Sequence, residues 1–175
     1  MLVALYFAAQ VLSHPLPECL TAFGQTACGY SCAAASGEVR CAATPAGVCQ
    51  GASGGVVCFD PPAGGFRLPR AACLTSSGAT ACGYGCQAAG TDVKCAQTPY
   101  GLCVADFGRV DCWDPPALPA TPALVAIPAQ CVRDFGSLAC GWGCVAEAGQ
   151  VRCSQVPGGR CRLDVGRLVC DGDQL

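Results

Sequence analysis

Residues 19–58 read CLTAFGQTACGYSCAAASGEVRCAATPAGVCQGASGGVVC, six cysteines separated by eight, three, eight, seven and eight residues. After this first set (Cys19, Cys28, Cys32, Cys41, Cys49 and Cys58) the same gaps return at Cys73, Cys82, Cys86, Cys95, Cys103 and Cys112. They return again at Cys131, Cys140, Cys144, Cys153, Cys161 and Cys170, which uses all 18 cysteines. Self-similarity at a fixed period marks a repeat architecture, here with starts 54 and then 58 residues apart.

A shorter repeat lies inside the long one, because every unit holds three Cys-x8-Cys segments. Eight of the nine place Gly five residues after the first Cys, and the ninth has Gly90 one place early. Two residues further on stands a Val, Leu or Thr, as in Val39, Val56, Val110, Leu168 and Thr26. A Gly between two short arms, with β-formers on the far arm, predicts a β-hairpin whose turn needs a positive φ. With turn residues at the fourth and fifth places, Cys lies opposite Cys. Period two then puts Cys32, Ala34, Val39 and Cys41 on one face.

Opposed residues of an antiparallel pair lie close enough for a disulfide, so each hairpin can close on its own bridge. A three-residue turn with a Gly bulge would shift the register and bridge neighbouring hairpins instead. Six cysteines allow 15 connectivities, among which local pairing ranks first. A unit of 40 residues buries too little apolar surface to fold unaided. Three bridges over ten-residue loops contribute roughly 6 to 8 kcal/mol in the chain-entropy model.

The predicted fold is therefore a small disulfide-rich all-β chain: three tandem six-cysteine repeats of short hairpins, strung like beads. The repeats run 19–58, 73–112 and 131–170. The intervening 59–72 and 113–130 read as Pro- and Gly-rich linkers, each opening on an aromatic, Asp and two prolines that predict an extended spacer holding the units apart. The apolar stretch 117–129 is interrupted by Pro119, Pro122 and Pro128 and reads as a stiff linker.

Residues 1–13 read as a signal peptide, with an apolar core from Leu2 to Leu12 and a cut near Ser13. The alternative is an apolar strand packed on the first unit, since no Lys or Arg precedes Arg40. A secreted or cell-surface location follows from the leader and the cysteine density. Charged residues make up only 13% and the net charge is −2, which disfavours nucleic acid as a partner. No apolar run reaches the length of an integral membrane span.

Two further motifs recur between the hairpins. One is Cys28-Gly29-Tyr30-Ser31-Cys32, repeated around Tyr84 and Trp142. The other carries Thr44-Pro45-Ala46-Gly47, Thr98-Pro99-Tyr100-Gly101 and Val156-Pro157-Gly158-Gly159. Both read as connectors outside the hairpins. The second predicts an exposed, rigid type I turn with Pro at its second place and Gly at its fourth.

At these residues the chain resembles uncharacterised bacterial secreted cysteine-repeat proteins built from CGYxC, CAxTPxGxC and CxDPP units. The first two units follow that pattern closely. The third departs from it with Trp142, with Ser154-Gln155-Val156-Pro157 and without Asp-Pro-Pro. The resemblance implies secretion and a repeat fold, and no activity.

Metal binding by thiolates is the rival use of so many cysteines, but six per unit divide into three disulfides and not into four-ligand zinc sites. His14 is the only histidine, so no unit can assemble a Ser-His or Cys-His catalytic pair. Asp60, Asp114 and Asp171 read as turn caps, and no enzyme activity, metal or cofactor is expected. Binding of an extracellular protein or glycan is the favoured function, in competition with a spacer role. Its candidate residues are Tyr30, Tyr84 and Trp142 at one repeated position and Phe59 and Trp113 at another; rings at intervals along tandem copies suit multivalent stacking. The competing use of each ring is to cover its own unit's disulfides. A protease inhibitor acting through the Cys-flanked loops, with Ala43, Gln97 and Gln155 at the reactive place, is a further alternative.

Overall fold

The computed structural model describes residues 16–62, 69–116, 128–147 and 149–173. The expected signal peptide and the middles of both linkers lie outside them. The described residues form strands and turns, with no helix. Unit 1 contains β1 (Glu18–Ala22), β2 (Gln25–Ala35), β3 (Glu38–Ala42), β4 (Val48–Ala52) and β5 (Gly55–Phe59). Unit 2 repeats them as β6 (Ala72–Ser76), β7 (Ala79–Ala89), β8 (Asp92–Ala96), β9 (Leu102–Asp106) and β10 (Arg109–Trp113). Unit 3 does so as β11 (Gln130–Asp134), β12 (Ser137–Glu147), β13 (Gln150–Ser154), β14 (Cys161–Asp164) and β15 (Arg167–Cys170). Each unit is an antiparallel three-stranded meander followed by a two-stranded hairpin.

The register is the one the cysteine and glycine spacing predicts. Cys19 faces Cys28, Thr21 faces Thr26 and Ala22 faces Gln25, leaving Phe23 and Gly24 as the turn. Both turn residues have positive φ, 52° and 74°, as a type I′ hairpin requires for its twist to match that of the strands. Gly90 stands one place early because its turn needs the positive φ, 65°, at the first central residue. All nine hairpins are closed by their own disulfide, from Cys19–Cys28 to Cys161–Cys170, each joining residues nine apart. No cysteine is left free.

The Cys-Gly-aromatic-x-Cys motif is not a connector between hairpins. It is the middle of an 11-residue strand that serves two hairpins at once. On β2, Tyr30 pairs with Ala42 and Ala33 with Arg40, so two residues oppose one and the strand bulges at Ser31. The bulge residue is left-handed in each unit, with φ 46° at Ser31, 51° at Gly85 and 50° at Gly143. The preceding glycine has a separate cause. A Cβ on Gly29 would lie 2.5 Å from the carbonyl oxygen of Ala42, so the neighbouring strand excludes any side chain there.

Contacts between successive hairpins repeat as well. Arg40, Lys94 and Arg152 each donate to a carbonyl of the unit's last strand, at Val56, Val110 and Leu168, over 3.2, 2.7 and 2.8 Å. Beneath these bonds Val56, Val110 and Leu168 are buried, with Ala42, Ala96 and Ser154.

The beads touch, and the expected separation by the proline pairs does not hold. Phe59, at the end of unit 1, packs edge-on against Tyr84 of unit 2, with ring centroids 5.7 Å apart at 88°. Trp113, at the end of unit 2, packs on Trp142 of unit 3 at 5.3 Å and 76°. Its indole Nε1 also donates to Gln155 Oε1 over 2.9 Å. Pro61 and Pro115, the first prolines of the pairs, are buried. The physical reason is size: a unit this small cannot enclose a Tyr or Trp alone, so the aromatic after its last Cys closes over the next unit.

Candidate functional site

The Thr-Pro-x-Gly segments form the predicted turn, with Gly47 donating to the Thr44 carbonyl over 3.0 Å and Gly101 to that of Thr98 over 3.0 Å. They are less exposed than expected. Gly47, Gly101 and Gly159 are buried and the prolines half-buried. In unit 1 the cause is Asp60, whose carboxylate accepts from Ala43 N at 3.1 Å, Thr44 N at 2.8 Å and the Thr44 hydroxyl at 2.9 Å. Asp114 does the same for Gln97 N at 2.9 Å, Thr98 N at 2.7 Å and the Thr98 hydroxyl at 2.8 Å. The Asp of Asp-Pro-Pro is therefore a clasp, tying the unit's end to a loop 16 residues earlier.

Unit 3 reaches the same closure with different atoms. Ser154, fully buried, donates from its hydroxyl to the Asp171 carbonyl at 2.7 Å, and Asp171 accepts from Arg160 N at 2.9 Å. The Cys-flanked loops with Ala43, Gln97 and Gln155 are thus bound down by their own unit along part of their length, although those three residues are themselves exposed.

Partial burial raises the Asp60 pKa, but the two backbone N–H groups and the Thr44 hydroxyl outweigh it and hold the carboxyl below 3.8. A depressed carboxyl stabilises the fold fully above its unfolded value and loses that contribution as the pH falls through the folded one. Acid titration is therefore expected to loosen the first Thr-Pro-x-Gly loop only below about pH 3.8. In D60N this step disappears and the loop exchanges its amide protons faster at neutral pH. Residue-resolved hydrogen exchange at Ala43 and Thr44 checks both.

The aromatic candidates are not equivalent. Tyr84 and Trp142 are 2% and 0% exposed, so their faces serve the junctions and not a ligand. Burial also raises the Tyr84 hydroxyl pKa. The expectation of three rings stacking on sugars is corrected for these two. Phe59 and Trp113 are half-buried as their junction partners, and Tyr30, with no preceding described unit, is also half-buried. A cleft of about 310 Å³ lies between units 2 and 3, lined by Pro69, Pro99, Tyr100, Leu102, Pro128 and Trp142. Tyr100 is partly exposed there.

A second group was missed by sequence reasoning. Phe23, Phe107, Phe135 and Val165 each precede the turn glycine of a hairpin and are 63%, 96%, 90% and 96% exposed. Their φ values, 52°, 43°, 42° and 43°, are those of the left-handed region, where bulky side chains are rare. The signal was available in the residue before each turn glycine, where Ser36 and Ser77 stand in other hairpins.

The tips meet side by side. Ser36 donates to the Ser53 carbonyl at 2.8 Å, Ser53 to that of Gly78 at 3.4 Å, and Ser76 to that of Gly90 at 3.1 Å. Val110 N donates to Asp92 at 2.7 Å, and Gly149 N to Asp134 at 3.2 Å. Between units 2 and 3, Arg133 pairs with Asp106 at 2.7 Å. These contacts link the second hairpin through to the eighth and cross both junctions.

Comparison with family models, with curated proteins and with solved structures finds no match to this chain. Among the described residues no helix is long and apolar enough to cross a membrane.

Proposed function

We propose that the chain is a secreted or cell-surface repeat module, held by disulfides, that binds an extracellular protein or glycan or spaces other elements, and that it is not an enzyme. The observation that carries this reading is the use of all eighteen sulfur atoms in nine local bridges, which suits an oxidising compartment. It leaves no thiolate for metal. The resemblance to bacterial secreted cysteine-repeat proteins supports the same compartment. Asp60 and Asp114 are occupied by the loop clasps and have no histidine beside them in the units, which supports a non-catalytic role.

The cleft beside Tyr100 supports binding, because a half-exposed ring flanked by prolines offers an apolar platform to a sugar face. Mass spectrometry of the secreted chain under denaturing, non-reducing conditions is expected to count no free thiol, and a majority of reactive thiols ends this reading. Pull-down on glycan and cell-wall preparations is expected to retain the chain, with Y100A lowering retention by about tenfold, the scale of one stacked ring. Retention unchanged in Y100A excludes the cleft as the ligand site.

A further inference from the structure

We infer that the tips of units 2 and 3 form a lipid-surface contact, in which Phe107, Phe135 and Val165 enter the boundary between headgroups and acyl chains. This goes beyond the preceding reading, because it rests on the tips alone and names a different partner. Neither of the usual reasons for an apolar residue applies to these three. They are 90% or more exposed, so no core gains from them, and their positive φ disfavours bulky side chains. Phe107 and Phe135 stand on adjacent hairpins drawn together by the Asp106–Arg133 ion pair. Val165 caps the ninth hairpin, whose β15 takes the Arg152 bond from β13 of the eighth.

The charges directly behind the tips define the partner. Asp106 and Arg109 face each other below Phe107, and Asp164 and Arg167 face each other below Val165. Arg133 and Asp134 precede Phe135, and exposed Glu147 precedes the turn of the eighth hairpin, giving four acids and three bases. Each apolar tip is thus one residue deep above a polar belt of mixed sign with no excess of positive charge. Convex knobs over such a belt match a zwitterionic bilayer, whose apolar layer begins just under its headgroups and deforms around any shape. A protein partner would instead need separate pockets at the spacing of the hairpins.

The test is co-sedimentation of the oxidised chain with phosphatidylcholine vesicles, beside the variant F107S/F135S/V165S. Serine occupies the same turn position at Ser36 and Ser77, with φ 52° and 48°, so the variant keeps its turns. The wild-type chain is expected to pellet with the vesicles, equally at low and high salt. Each phenylalanine lost is expected to lower the partition coefficient by at least about tenfold. Equal partition of the two chains overturns the proposal, and so does binding confined to anionic vesicles and lost in salt. A wild-type chain that stays in the supernatant overturns it too, including one that dimerises through the same three residues.

Discussion

On addition of a reductant strong enough to open all nine bridges, the strand signal in far-ultraviolet circular dichroism is expected to collapse to that of a coil at room temperature. Each bridge closes a ten-residue loop and contributes about 2.7 kcal/mol in the chain-entropy model, or about 8 kcal/mol for the three of one unit. A small domain has only about 5 to 15 kcal/mol of stability in total. Few large side chains among the described residues are fully enclosed: those are Trp142, Tyr84 and Val110, with Ser154. Removing the bridges therefore removes most of what opposes chain entropy. Circular dichroism followed against the number of alkylated cysteines checks this, and a fully alkylated chain that keeps its strands would place the stability in packing instead.

The second large effect is expected at a junction. Trp142→Ala empties the best-buried aromatic site among the described residues and should cost about 3–5 kcal/mol, the range for a buried aromatic truncated to Ala. It also strips Trp113 of its edge-on partner. Amides of β12 and β13 should then exchange faster, and those of unit 1 should be unaffected. Tyr30→Ala, at the equivalent but half-exposed position, should cost clearly less. Equal losses for the two variants would mean that the rings act within their own units and that the junctions contribute little.

The hairpins were legible because their determinants are local. A Gly five places after a Cys, with a second Cys four places further on, specifies a two-residue turn, and the turn places the sulfurs opposite one another. The clasp of Asp60 on Thr44 was half legible: the turn could be read from Pro45 and Gly47, but not the carboxylate that presses on it from 16 residues away. The course of β2 was hidden for a different reason. Gly29 and the residue at 31 look like a break, whereas one glycine admits a neighbouring backbone and the other position bends a continuous strand. The junctions were concealed by composition, since Asp-Pro-Pro resembles a spacer, while Phe59 and Trp113 bind across it to rings 25 and 29 residues on. The exposed tips were hidden because the left-handed place before a turn glycine disfavours bulky side chains, so turn chemistry alone does not point to Phe or Val there.

The nearest-in-line pairing of the bridges bears on how the chain is made. Because every odd cysteine joins the one nine residues after it, each partner is synthesised before any competitor from a later hairpin. Oxidation can thus proceed stepwise in the order of synthesis. Little scrambling is then left to correct.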